Sequence, residues 1–242
     1  DLERQIQIPS GENKTLLVIF DIGDQNPDSI EYHGPISWAS TYKTSTTVNT
    51  ITPGVPFAGM NQTATTNMEM NGTVMGINLN AKFNGTDNEF FEKTDVENLI
   101  KETSTESSTS NTSTTGVTSE TNVNTAIVNL TTGLYTNGSA TSALPKNLTK
   151  DGDSITIKDQ KYTIIGSEVI DILGHKIECW KVESTYEYEG SQMKAIIYYD
   201  KTTRMSLKMV IEKQNTTISG YTFQMQGNGE ITSTNMPLIG IA

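Results

Sequence analysis

Few side chains in this sequence have the types and spacing that catalysis requires. Of 242 residues, two are histidines, His33 and His175, and one is a cysteine, Cys179. No Gly-X-Ser-X-Gly elbow, phosphate-binding loop or dinucleotide-binding glycine pattern is present. The sequence therefore predicts a protein that is not an enzyme. One enzymatic alternative stays open, a secreted hydrolase whose pocket would hold one of the histidines beside an acid and a nucleophile.

Two acidic loops, residues 21–29 and 151–154, offer closely spaced oxygen ligands of the kind that Ca²⁺ prefers. Neither has the spacing of an EF-hand loop, and both are expected to be solvated turns. A single cysteine allows no intramolecular disulfide and no cysteine-based metal site, so Cys179 is predicted to be a small buried core residue. We expect no metal and no cofactor.

Acceptor sequences for N-linked glycans are more frequent than chance predicts. A composition so rich in Ser and Thr would give about five Asn-X-Ser/Thr sequences at random, and the chain has nine. Four of the nine lie in turn-like sequences, two Asn-Gly-Thr, one Asn-Gly-Ser and one Asn-Gln-Thr, where a glycan would face solvent. The acceptors are Asn13, Asn61, Asn71, Asn84, Asn111, Asn129, Asn137, Asn147 and Asn215. They predict an N-glycosylated, extracellular protein whose only attached groups are glycans.

Charge and hydropathy exclude several classes of partner. The net charge of −11 and the pI of about 4.6 argue against nucleic acid and against an anionic membrane surface. No apolar run reaches 18 residues, so no membrane span is expected in this chain. The sequence starts at Asp1 without a basic and then apolar leader, which is expected of a secreted protein whose signal peptide has been removed.

Alternating apolar and polar residues predict antiparallel strands, most clearly after residue 150. Hairpin turns are predicted at 158–160, 173–175 and 200–204, which gives a meander of seven or eight strands over 155–235 within a core of 151–238. Upstream, strands are predicted at 14–22, 36–42 and 125–136, and a hairpin or three-stranded meander turning at Asn-Gly is predicted over 66–86. The fold class is all-β, as a curved meander, half-barrel or sandwich.

Two segments interrupt this pattern. Residues 94–101 predict at most one short helix, and two short strands are the alternative. The Ser/Thr-rich stretch 102–122 has the composition of a stalk between domains, but strand-like segments flank it and β-branched threonine favours strands. We therefore expect a glycosylatable surface insertion inside a single architecture over 1–242, part of which could pair at a sheet edge.

Soft apolar side chains recur on one face of the predicted strands. They are Trp180, Tyr186, Tyr188, Met205, Met209, Phe223 and Met225. Methionine and aromatic side chains make an adaptable surface that suits lipids and other hydrophobic ligands. The same stripe is explained by core packing, so a ligand face and a filled core both remain open.

Five segments between residues 144 and 238 carry a resemblance to a known group of domains. They are LPKNLTKDGDSI, YTIIGSEVI, GHKIECWKVES, IIYYDKTTRMSLKM and the closing ITSTNMPL. Together they resemble a recurrent archaeal secreted or cell-surface domain, in which an Asp-Lys-Thr turn precedes an alternating strand. Arg204 stands where the turn glycine is expected. The resemblance implies a curved antiparallel sheet of the lipoprotein-carrier (LolA/LppX-like) half-barrel kind, and it implies no catalytic residues.

These observations predict an extracellular, glycosylated archaeal cell-surface structural protein with an adhesive role. We expect a filament subunit that assembles by strand addition, or a surface-layer subunit, whose partners are further copies of itself or other cell-surface components. Ile6 and Ile8, in an N-terminal arm over 1–10, form the candidate donor strand. The alternative is a secreted half-barrel module that binds a lipid or another hydrophobic ligand.

Overall fold

Segments in which apolar and polar residues alternate form strands along most of the chain that the structure describes. The structure is a computed structural model, and it describes residues 56–188 and 191–238, except for the side chain of Tyr188. Within these ranges there is no helix, and therefore none that could cross a membrane. The strands are β1 (Asn61–Val74), β2 (Ile77–Lys93), β3 (Leu99–Thr112), β4 (Gly116–Asn129), β5 (Leu134–Tyr135), β6 (Ser154–Ile157), β7 (Gln160–Ile172), β8 (His175–Tyr188), β9 (Ser191–Asp200), β10 (Ser206–Ile218) and β11 (Tyr221–Thr234).

All eleven strands belong to one open, curved antiparallel sheet in the order β5-β4-β3-β2-β1-β11-β10-β9-β8-β7-β6. The all-β prediction is confirmed. The strands form two meanders, β1 to β5 and β6 to β11, which are joined where β1 pairs with β11. The expected seven or eight strands over 155–235 are six, because β7, β8, β10 and β11 each run for 13 or 14 residues without a break.

Several predictions concern residues outside the described ranges. They are the donor arm 1–10 with Ile6 and Ile8, the acceptor Asn13, the acidic loop 21–29, His33 and the strands at 14–22 and 36–42. The prediction of a single architecture over the whole of 1–242 also extends beyond the described residues.

The three predicted hairpin turns after residue 150 all join consecutive strands, at 158–159, at 173–174 and between β9 and β10. The predicted Asn-Gly turns of 66–86 were wrong. Asn71–Gly72 and Asn84–Gly85 lie inside β1 and β2, and the chain turns at Met75–Gly76, where both φ angles are positive as the twist of a two-residue hairpin requires. Gly72 serves to make room inside β1, because the ring of Phe223 occupies the space that a Cβ would need.

No helix forms at 94–101. The side chain of Thr94 bonds the backbone of Val96 and Leu99, Asn98 takes a positive φ, and β3 begins at Leu99. The Ser/Thr-rich stretch 102–122 is not an insertion either. It forms most of the β3–β4 hairpin, which is paired from Leu99–Asn129 to Thr112–Gly116. Threonine and serine occupy successive positions and therefore both faces of these strands, which suits a strand pair whose side chains stay in water.

Two clusters of buried side chains hold the sheet together. One contains Leu144, Leu148, Ile157, Tyr162, Ile164, Val182 and Tyr199. The other contains Met60, Phe91, Ile100, Val128, Ala143, Ile170, Ile172, Ile177, Cys179, Tyr198, Met205, Leu207, Ile231 and Met236. The buried side of the β7–β8 hairpin changes where a bulge at Ile165 and Gly166 adds one residue to β7. Ile164 and Val182 are thus buried on one face, and Ile170 and Ile177 on the other.

Candidate functional site

The connection between β5 and β6, residues 136–153, has to cross one face of the sheet because these strands lie at opposite edges. Leu144 and Leu148 are its largest fully buried side chains, and they pack on the cluster that contains Tyr162 and Tyr199. Its residues 142–144 pair with the start of β10, through an antiparallel bridge between Ala143 and Met205. The crossing connection therefore acts as a partial second layer over the sheet.

Arg204 fixes this connection in place. Its φ of 63° confirms that the position where a turn glycine was expected has a left-handed backbone, which is unfavourable for arginine. The guanidinium Nη2 donates to the carbonyl oxygens of Pro145 and Leu148, each at 2.7 Å. Asp200 closes the same loop by accepting from the backbone N–H groups of Thr202 and Thr203 and from the hydroxyl of Thr203. The side chain of Arg204 thus compensates for its backbone strain.

A cavity of about 660 Å³ lies on the face that the connection crosses. Residues of β1, β2 and β6 to β11 line it on one side, and residues 139–142 with the β6–β7 turn line it on the other. Its apolar wall contains Ala64, Ile157, Tyr162, Ile197, Tyr199, Leu207, Met209 and Ile231. Gln62, Asp87 and Glu89 line it as well. The volume lies in the range of sites for small organic ligands.

The acidic side chains of this cavity are part of a partly buried cluster on β2 and β3. Asp87 and Glu89 are two residues apart on β2 and therefore project from the same face, and Glu102 lies on that face of β3, opposite Phe91. Gln62 Nε2 donates to Glu89 Oε2 at 2.5 Å, and the hydroxyl of Ser142 donates to the same oxygen at 3.1 Å. The phenol of Tyr135 donates to Glu102 at 2.6 Å.

The electrostatics of the cluster are unfavourable. Burial, and then the negative charges of Glu102 and Asp87, raise the pKa of Glu89 to about 7. Burial first also raises the pKa of Asp87 and of Glu102. In the described part of the chain none of the three forms an ion pair with a lysine or arginine. Groups whose pKa values are displaced in this way inside a cavity are frequently functional.

The predicted ligand-face residues are only partly brought together. Tyr186 and Met209 line the cavity, and Trp180 packs against the cluster that contains Tyr199. Met205 is buried beside Ala143, Phe223 is buried over Gly72, and Met225 is half-buried opposite Met70. Core packing therefore explains some members of the stripe, others lie at the cavity, and the ligand face stays a prediction. The side chain of Tyr188 is outside the described set.

The remaining predicted residues are dispersed. His175 is exposed beside the β7–β8 turn, and burial raises the pKa of the buried Cys179 thiol to about 12. Asp153 is occupied by the backbone and hydroxyl of Thr149 and by the backbone of Lys150, and no described group of His, Cys, Asp or Glu is placed to hold a metal ion. Among the acceptor asparagines, Asn61, Asn71, Asn84, Asn111, Asn137, Asn147 and Asn215 are exposed, and Asn129 is half-buried.

Sequence reasoning missed Gln62, Asp87, Glu89, Glu102 and Tyr135. A signal for part of this cluster is present in the sequence of β2, where Asp87, Glu89 and Phe91 follow one another at intervals of two. Acidic side chains at intervals of two from a buried phenylalanine have to lie on the same, buried face of the sheet. The helix predicted from the next residues concealed this pattern.

No protein-family model and no curated protein sequence matches the chain. Three solved structures show a distant likeness. A Bacteroides fragilis protein with a YmcC-like fold is 10% identical with a TM-score of 0.37, over 75% of this chain and 98% of that one. A DUF1329 family protein from Desulfovibrio piger is 12% identical with a TM-score of 0.20, over 74% and 88%. A domain named for outer membrane lipoprotein sorting from Vibrio parahaemolyticus is 9% identical with a TM-score of 0.19, over 72% and 85%. Function has to be argued from the geometry of this chain itself.

The raised pKa of Glu89 predicts how stability depends on pH. The folded state holds a proton on Glu89 that the unfolded chain releases above its ordinary pKa of 4.5, so this residue lowers stability as pH rises towards 7. Glu89→Gln keeps the hydrogen-bonding shape without the charge. We expect it to raise the free energy of unfolding at pH 8 by about 1–3 kcal/mol, and by much less at pH 5.

Urea denaturation at the two pH values measures this difference. Glu97→Gln is the matched control, because Glu97 is an exposed carboxylate on the β2–β3 connection. Equal effects of the two substitutions at pH 8 would contradict a buried, destabilising charge at Glu89.

Proposed function

We propose that the chain is an extracellular module that binds an apolar ligand in the cavity under the crossing connection. The observation that carries this proposal is the cavity itself. Its apolar lining comes from β1, β7, β9, β10 and β11, and also from Ile157 at the end of β6. A binding site assembled from many elements of one rigid sheet is held in shape before a ligand arrives, which reduces the entropy lost on binding.

The single-layer architecture supports the same function. A sheet with one apolar face needs a second layer to exclude water, and in the described chain the crossing connection supplies only part of one. Leu144 and Leu148 fill the space over β7–β9, whereas Ala64 and Met209 stay only partly buried at the cavity. A ligand that covers these side chains would gain roughly 25 cal/mol for each Å² of apolar surface removed from water.

Filling the cavity with a side chain should abolish binding. Ala64→Phe places a ring into the cavity from β1, and Thr65→Phe places the same ring on the opposite face of that strand as a control. With the neutral apolar dye N-phenyl-1-naphthylamine, we expect saturable fluorescence enhancement for the wild type and Thr65→Phe. Affinity should fall at least about tenfold for Ala64→Phe. Circular dichroism and melting curves check that both variants fold; a folded wild type that shows no saturable binding would overturn the function.

The extracellular setting is supported by the exposure of seven acceptor asparagines. Asn129 differs, because its side-chain oxygen accepts from the backbone N–H groups of Thr131 and Thr132. Glycopeptide mass spectrometry of the native protein should find glycans at several exposed sites, including Asn111 at the β3–β4 tip, and little or none at Asn129. A native protein without glycans would remove this support. The archaeal source and the adhesive role stay predictions.

A second candidate function, a subunit that polymerises by strand addition, is favoured by the outer edge of β4. Beyond Val128 and Asn129, which pair with β5, no described strand pairs with this edge. All side chains from Gly116 to Thr125 are exposed, with Val123 at 67%. Edge strands of monomeric proteins are commonly protected by charged side chains, especially lysine, or by proline; β4 has no lysine or proline, and Glu120 is its one charged residue. Such an edge can accept a strand from another copy.

If β4 accepts a donor strand, a charge on its edge should prevent assembly. Val123→Lys is expected to leave monomers where the wild type forms filaments in negative-stain images, and deletion of residues 1–10 should do the same. Val96→Lys, on the exposed β2–β3 connection, is the control and should still assemble. Filaments that persist in Val123→Lys, or a wild type that stays monomeric at high concentration, would exclude this candidate.

A further inference from the structure

The acidic end of the cavity has more buried hydrogen-bond acceptors than donors. Two side-chain oxygens of lining residues, Gln62 Oε1 and Asp87 Oδ1, are buried without any donor. Oε2 of Glu102, which lies behind the lining on the same face of the neighbouring strand β3, is also buried without one. Gln62 and Glu102 are only 5% and 4% exposed. The nearby donors are already engaged, since the Gln62 amide and Ser142 hydroxyl donate to Glu89 and the Tyr135 phenol donates to Glu102.

Such a surplus is costly in an empty site. A buried acceptor without a donor costs about 1–3 kcal/mol, and native proteins contain few of them. Here the surplus coincides with like charges, because Asp87, Glu89 and Glu102 repel one another. Arrangements that weaken the folded protein cluster at functional sites, including sites that bind ligands.

The chemistry of the missing partner follows from these groups. It has to donate several hydrogen bonds and carry positive charge, which excludes carboxylates, phosphates and sulfates. Gln62 lines the same cavity as Ile197 and Met209, so the rest of the ligand has to be apolar. Resting on the apolar-ligand function proposed above, we propose that Gln62, Asp87, Glu89 and Glu102 bind the primary ammonium group of an amphiphilic amine whose hydrocarbon part fills the cavity.

A primary ammonium suits the site better than a quaternary one. An –NH₃⁺ group has three donors for the unpaired oxygens, whereas a trimethylammonium group has the same charge and no N–H. Hydrogen bonds that involve charged groups contribute about 1.5–3 kcal/mol each. General attraction of cations to a chain of net charge −11 would favour both head groups equally. The difference in affinity between the two head groups therefore measures only their hydrogen bonds to the acceptor cluster.

The test compares three ligands with the same twelve-carbon chain: dodecylammonium, dodecyltrimethylammonium and dodecanol. Each is used below its aggregation concentration, on the full chain at pH 7.4 and physiological salt, as a competitor of N-phenyl-1-naphthylamine. We expect dodecylammonium to bind about tenfold or more tightly than the other two. Glu102→Gln and Glu89→Gln should each bring the affinity ratio of dodecylammonium to dodecyltrimethylammonium close to one. Glu97→Gln, at the surface, should leave that ratio unchanged.

The outcomes separate this inference from the function on which it rests. If dodecanol binds but dodecylammonium shows no preference over dodecyltrimethylammonium, the ammonium site is wrong and apolar binding stands. The same holds if Glu97→Gln lowers the ratio as much as Glu102→Gln does. If none of the three binds to the folded protein, both the apolar function and the ammonium site are overturned.

Discussion

The bonds from Arg204 to the carbonyl oxygens of Pro145 and Leu148 are the interaction on which the rest of the structure depends. The sheet consists of two meanders whose free ends lie at opposite edges, so the connection between them has to pass over one face. Backbone carbonyls in such a passage need donors, and pairing with strands supplies them at only a few residues, such as 142–144 at the bridge to the start of β10. Arg204 supplies the donors from a left-handed turn that joins β9 to β10, and so the turn and the crossing connection form one unit.

The cavity is a consequence of this arrangement. A connection of eighteen residues cannot cover a sheet of eleven strands in the way that a second sheet or a layer of helices would. Leu144 and Leu148 cover part of β7–β9, and the rest of this face, from the remainder of β7–β9 across β10, β11 and β1 to β2, keeps a cavity. At its polar end the acidic side chains of β2 and β3 are desolvated without cations. The crossing connection thus completes part of the fold and, where it leaves the sheet uncovered, creates the candidate site.

Much of the fold could be predicted from the sequence, because strand alternation and turn residues are local signals. The turns at 158–159 and 173–174 and the all-β class were correct for this reason. The β1–β2 turn at Met75–Gly76 was missed because Gly72 makes room for the ring of Phe223 and does not form a turn, and that contact joins residues 151 positions apart. The same limit hid most of the site. Gln62, Glu102 and Tyr135 meet Glu89 only through sheet register and the crossing connection, whereas Asp87 and Glu89 could have been found from their spacing to Phe91.

The measurement that tests the account most directly is a crystal structure of the chain with dodecylammonium. The account predicts a hydrocarbon chain between Ile197 and Met209, with its nitrogen within hydrogen-bond distance of Gln62 Oε1 and of at least one of Asp87, Glu89 and Glu102. A cavity filled by the protein's own side chains, or a ligand bound elsewhere while the cavity holds only water, would contradict it.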